Sequence, residues 1–114
     1  SKQEIKDFIV QTFNYNLDFT LEEIRPTYPF DETCQGTVPQ AIVAFLESTD
    51  YENAIRLAIS IGGDSDTLAC ITGGMASAYY KHIPQEIMDF VVDKLPVEYI
   101  EIMNKFDEHC VKDI

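Results

Sequence analysis

The residues best equipped for chemistry stand together in Gly62-Gly63-Asp64-Ser65-Asp66-Thr67. Asp64 and Asp66 are carboxylates two positions apart, and Thr67 adds a hydroxyl directly after them. All three offer hard oxygen donors, a set suited to Mg²⁺ or Mn²⁺ rather than Zn²⁺. On a regular helix, side chains at i and i+2 diverge. In a turn that enters a helix, the two acids can converge on one point. Gly62 and Gly63 permit positive φ and let a ligand approach the backbone closely. The same residue types also serve a plainer purpose. Asp, Ser and Thr are favoured helix N-caps, and acids near a helix N-terminus complement its dipole. Local chemistry taken alone favours capping. Two other uses fail on spacing. In an EF-hand register Leu68 and Cys70 fall on ligand positions, Ala69 on the glycine and Met75 on the closing glutamate. An Asp-x-Asp phosphotransfer nucleophile would follow a buried strand, whereas Ala54 to Ile59 reads as helix.

The elements that must position this stretch are all helical in pattern. Ser1-Lys2-Gln3-Glu4 has the form of a capping box, and Ile5, Phe8, Ile9 and Phe13 then share one helical face. Asn14-Tyr15-Asn16 ends that helix. Thr20-Leu21-Glu22-Glu23 is a second capping box, opening a short turn stopped by Pro26. Arg25 to Gly36 reads as irregular chain, broken by Pro26, Pro29, Asp31 and Gly36. Thr37 is the expected N-cap of the next helix, with Pro39 in its first turn, where the missing N–H costs nothing. Asp50 is the expected N-cap of a helix over 51–61. A further helix is predicted from about Thr67 to Lys81. Its interior Gly73 and Gly74 each cost about 1 kcal/mol relative to alanine, so close packing or a ligand should compensate. Pro84 and Pro96 open the last two helices. Their apolar stripes are Ile87, Phe90, Val91 and Leu95, then Tyr99, Ile100, Met103, Phe106 and Cys110. No segment alternates as a strand, and the fold class is all-α.

Composition narrows the function classes. The 114 residues suffice for one modest domain, so 1–114 is read as a single all-α domain or part of one. Hydrophobic residues make up 46%, enough to build a core rather than a disordered chain. Twenty acids against eight bases give a net charge of −12, which argues against nucleic acid or an anionic membrane as partner. The longest apolar run, 41–46, is far too short to span a bilayer, and the first residues carry no signal-peptide core. Cys34, Cys70 and Cys110 are odd in number and widely spaced, which suits a reducing, cytoplasmic setting. His82 and His109 lie near helix ends, where a protonated imidazole is favoured by the helix dipole.

The Gly-Gly-Asp-x-Asp-Thr run resembles the signature of the ADP-ribosylglycohydrolase family, of the dinitrogenase-reductase-activating type. The resemblance extends upstream through Cys34-Gln35-Gly36-Thr37-Val38-Pro39, Ala44-Phe45-Leu46-Glu47-Ser48 and Ala54-Ile55-Arg56, and downstream through Ala78-Tyr79-Tyr80 and Ile83-Pro84. Lys81 departs from it, since many members carry glycine there, a change expected to touch the helix end rather than the chemistry. The resemblance implies an all-helical domain that hydrolyses the bond between ADP-ribose and an acceptor using two Mg²⁺ (or Mn²⁺) ions. It implies Asp64, Asp66 and Thr67 as metal ligands, with Gly62 and Gly63 near substrate. The substrate would be an ADP-ribosylated protein or an ADP-ribose derivative. The family's other metal motif, Thr/Ser-Asp-Asp, and its reaction-centre acid have no counterpart here, and no catalytic residue is identified in this chain. It is therefore expected to be the C-terminal half of such a domain, inactive alone and inclined to self-associate through the surface the other half would cover. The contrasting expectation is a non-catalytic helical module that binds a nucleotide or a protein.

Overall fold

Helix start signals account for most of the architecture. The computed structural model describes residues 1–111 and contains, among those residues, seven α-helices and no strand. Helix α1 (Lys2–Phe13) begins at the capping box expected of it: Glu4 N–H donates to Ser1 Oγ and the Glu4 carboxylate reaches back to the Ser1 amine. Asn14 closes it in the left-handed conformation at φ 57°, one of the few non-glycine residues that tolerates it. Helix α2 (Leu21–Ile24) starts at the second capping box, Thr20 with Glu23. Helix α4 (Tyr51–Ser60) starts at Asp50, whose carboxylate accepts from Asn53 N–H at 2.7 Å.

Helix α3 (Cys34–Glu47) corrects the sequence reading. It begins a turn earlier than expected, with Thr33 rather than Thr37 as N-cap: Gly36 N–H donates to Thr33 Oγ1 at 3.1 Å. Asp31 supports that cap by accepting from both the backbone and the hydroxyl of Thr33. These bonds hold the Asp31 carboxyl below its ordinary range. Thr37 is instead buried, its hydroxyl donating to the Asp31 carbonyl. Pro39 therefore sits inside the helix. There its ring nitrogen has no proton to donate to the preceding turn. Gly36 is required for this arrangement, because a Cβ there would fall on the Asp31 carboxylate.

The chain separates into two compact units, Ser1–Ile83 and Pro84–Ile114. In the first, α3, α4 and α5 (Ser65–Tyr80) pack on one another. Small residues let them approach closely: Ala41, Ala44, Ala54, Ala58 and Ala76 are buried, with Ile42, Val43, Leu68 and Phe45 filling the space between them. Thr72 is buried too and satisfies its hydroxyl on the Ala41 carbonyl at 2.8 Å. Gly73 has a packing explanation, since a Cβ there would stand 3.1 Å from Ile55 Cδ1 and 3.4 Å from Tyr51 Oη. Gly74 has none, for its surroundings are open. Lys2 fastens α1 to this core: Nζ donates to the Ser48 carbonyl and to Tyr80 Oη at 2.8 Å, and lies 5.2 Å from the centre of the Phe45 ring. Lys81, the departure noted above, does end α5, taking φ 57° where glycine is usual.

The second unit holds α6 (Gln85–Lys94) and α7 (Val97–Cys110), and neither contains a buried residue. Phe90, Val97, Ile102 and Phe106 are each more than half exposed. No helix among the described residues is long and apolar enough to cross a membrane.

Candidate functional site

The α4–α5 connection is a tight turn built by two left-handed glycines, Gly62 at φ 76° and Gly63 at φ 69°. Both conformations strain any residue with a Cβ. Gly63 carries a second constraint, because a Cβ on it would fall 2.5 Å from Tyr28 Cε2 and 3.2 Å from the Pro29 carbonyl oxygen. The irregular stretch after α2 thus lies directly against the glycine turn. Tyr28 is fixed there by donating its hydroxyl to the Gly36 carbonyl at 2.6 Å. Its phenol is pushed up by burial, with the charges of Asp31 and Asp64 adding to the effect. Over Gly62 nothing of the chain intrudes.

This turn delivers Asp64, Asp66 and Thr67 to the first turn of α5. Asp64 occupies the N-cap position, yet its carboxylate makes no capping bond to the backbone. The helix starts at Ser65, two residues before the sequence-expected Thr67. A side-chain hydrogen bond with Asp66 raises the Asp64 carboxyl above its ordinary value, with the charges of Asp66 and Glu32 adding, while the Thr67 hydroxyl pulls it partly back. The same bond lowers Asp66, helped by the Thr67 N–H that donates to Asp66 Oδ1 at 2.9 Å. Two carboxylates this close repel each other until a proton or a cation lies between them. All three donors are at the surface, Asp66 and Thr67 exposed and Asp64 half-buried.

The donor set suits a hard divalent cation in kind, having two carboxylates and a hydroxyl and no sulfur or imidazole. It falls short in number. Among the described residues no group of three Asp, Glu, His or Cys side chains is placed to hold a metal ion. Glu32 is near enough to act on Asp64 through its charge. Sequence reasoning set it aside because Asp31-Glu32-Thr33 has the wrong order for the family's other metal motif and sits too close in sequence to the signature. Cys34, in the stretch expected to be irregular, lies instead in the first turn of α3 and is exposed. Cys70 and Cys110 are likewise free and exposed. His109 bonds the Lys105 carbonyl in the last turn of α7.

The family model for ADP-ribosylglycohydrolase matches residues 4–111. The chain belongs to the ADP-ribosylglycohydrolase family. Protein L543 of Acanthamoeba polyphaga mimivirus, whose name places it among ADP-ribosyl glycohydrolases, is 50% identical over 46 residues. That match covers 40% of this chain and 14% of the viral protein. No solved structure matches the chain.

Proposed function

We propose that this chain forms part of the catalytic domain of an ADP-ribosyl glycohydrolase in which Asp64, Asp66 and Thr67 donate to a divalent-cation site. The observation that carries the reading is the placement of Asp64, Asp66 and Thr67 together at the start of α5, with the Asp64 carboxylate making no capping bond to the helix. The reaction adds water across the bond between the anomeric carbon of ADP-ribose and an acceptor atom. The hydroxyl goes to the sugar and the proton to the acceptor. When bound, a pair of Mg²⁺ or Mn²⁺ ions would orient sugar hydroxyls and a water beside that bond. The chain's own part is to hold three hard oxygens on a rigid helix start and to keep the approach clear. Gly62, with open space around it, is the closer contact for substrate, while Gly63 sets the turn and accommodates Tyr28.

Two carboxylates do not complete such a site, so the chain by itself is expected to release no ADP-ribose. The test is Mg²⁺-dependent release of ADP-ribose from an ADP-ribosylated protein. It compares a polypeptide spanning the whole family domain with its Asp66→Asn variant. Loss of activity with an unchanged circular dichroism spectrum supports the reading, and equal rates end it. The second reading, a helical module that binds without catalysis, draws on the absence, among the described residues, of three acidic, His or Cys side chains placed to hold a metal ion. It gains if the whole domain turns over no substrate. The exposed apolar side chains of α6 and α7 favour self-association against the −12 charge. A sedimentation coefficient independent of concentration would refute that.

A further inference from the structure

The segment between α2 and α3 is tied to the start of α3 and wedged against the glycine turn. Tyr28 Oη donates to the Gly36 carbonyl at 2.6 Å, and the Thr37 hydroxyl donates to the Asp31 carbonyl at 3.1 Å. Asp31 Oδ1 accepts from the N–H and the hydroxyl of Thr33 at 2.8 and 2.7 Å. From this base the Tyr28 ring reaches Gly63, with Cε2 2.5 Å from where a Cβ would stand. The Pro29 carbonyl oxygen lies 3.2 Å from the same point. Gly63 is thus closed in on one side by groups that are themselves bonded to α3. One residue on, Ser65 N–H donates to the Gly63 carbonyl at 3.0 Å, across Asp64 at φ −80° and ψ 73°. These angles and this bond make an inverse γ-turn centred on Asp64. An N-cap residue takes the β region instead, as Asp50 does at φ −158° and ψ −177°. Rotating Asp64 into that conformation would open the γ-turn and move the Gly63 peptide, and Tyr28 and Pro29 stand in its way.

We propose that Tyr28 is a positioning residue for the candidate cation site: its ring holds the Gly63 peptide in place and so keeps the Asp64 carboxylate from turning back to cap α5. The carboxylate is then left available to Asp66 and to a cation. Groups outside the ligand set commonly act in this way, by fixing the orientation of the ligands themselves. The link to a cation rests on the reading of Asp64, Asp66 and Thr67 as its ligands, whereas the hold on Gly63 does not. The ring carries the effect, and the hydroxyl serves to anchor it on Gly36.

The first test follows urea unfolding of the chain in EDTA, so that no cation contributes. Tyr28→Leu keeps an apolar side chain against the core and withdraws the ring edge from Gly63. In that background Asp64 is free to cap, and a further Asp64→Ala should raise the unfolding constant about fivefold, the usual worth of an N-cap. In the wild-type chain, and in Tyr28→Phe, which keeps the ring, Asp64→Ala should change it by less than about twofold. Should Tyr28→Leu not fold, Tyr28→Met makes the same comparison. An Asp64→Ala effect of equal size in every background overturns the proposal. The second test uses a polypeptide spanning the whole family domain. The Mg²⁺ concentration for half-maximal ADP-ribose release should rise about tenfold in Tyr28→Leu and stay near the wild-type value in Tyr28→Phe. An unchanged Mg²⁺ requirement in Tyr28→Leu overturns the proposal where Asp66→Asn is inactive. If Asp66→Asn is fully active, the cation reading has failed instead, and the unfolding comparison alone decides whether Tyr28 holds Asp64 off the cap.

Discussion

Helices α4 and α5 both begin at an aspartate, and the two aspartates are used differently. Asp50 turns its carboxylate inward to its own helix and accepts the Asn53 N–H at 2.7 Å. Asp64 occupies the same position on α5 and makes no such bond, meeting Asp66 instead. The residue before each helix is therefore the same, and the backbone leading to it decides the outcome. Asp50 enters from extended chain, whereas Asp64 leaves two left-handed glycines with φ −80° and ψ 73°, outside the usual capping conformation. A helix that leaves its cap unmade gives up stability, a pattern more often found at functional sites than elsewhere.

The largest effect expected from this difference is on activity. In the whole family domain, Asp66→Asn should reduce ADP-ribose release by roughly a hundredfold or more, the scale on which losing one charged stabilising group is felt. Asparagine caps a helix as well as aspartate does. The fold should thus survive, and a steady-state rate beside a thermal melt separates the two roles. Next in size is the contrast in stability between the two helix starts. Asp50→Ala should cost about 1 kcal/mol, the usual worth of a made N-cap. Asp64→Ala should leave the melting temperature almost unmoved, or raise it in metal-free buffer. Equal losses in the two variants would show that Asp64 caps after all.

What could be read from the sequence follows the same division. Starts that depend on a side chain reaching its own helix were legible: Ser1 with Glu4, Thr20 with Glu23, and Asp50 each appear as expected. The start of α3 was not, because Thr33-x-x-Gly36 and Thr37-x-Pro39 both look like openings. The choice between them is made by Asp31 from outside the helix. Asp64, Asp66 and Thr67 were legible as a group from their types and spacing. Their neighbours Tyr28 and Glu32 were not, since the fold of the irregular loop brings them there. The stripes of α6 and α7 were read correctly as helical, but periodicity does not say whether a face is covered, and none of their residues is buried.

The interior glycines of α5 sharpen the comparison further along the same helix. Gly74 is exposed, with room for a methyl group, so Gly74→Ala should stabilise this chain by roughly 0.5–1 kcal/mol. Gly73→Ala should come out near neutral. The same gain in helix propensity is offset there by a Cβ 3.1 Å from Ile55 Cδ1, which must shift to admit it. Chemical denaturation of both variants tests this. A loss at Gly74 as large as one at Gly73 would mean that α5's exposed face is covered in solution.

The smallest expected effect is the titration of the acidic pair. Asp64 is raised and Asp66 lowered because one proton is shared between them, so they titrate as a pair. The signs are opposite. The raised Asp64 stabilises the folded state at low pH, and this contribution is lost as pH climbs through its raised value. The lowered Asp66 stabilises above its unfolded value and loses this as pH falls through its lowered one. The pair's contribution therefore peaks between the raised and the lowered value. On the high-pH side both carboxylates are charged and repel, and Mg²⁺ can take the place of the proton. The melting temperature of the chain relative to that of Asp66→Asn should fall slightly from about pH 4 to 6 in EDTA. It should fall less with Mg²⁺ present, and the Mg²⁺ effect should grow with pH. In Asp66→Asn that growth should vanish, because no second charge remains to be relieved. A Mg²⁺ effect of the same size at every pH, or one retained in Asp66→Asn, would place the cation elsewhere on this acidic surface and leave Asp64 no more than an imperfect cap.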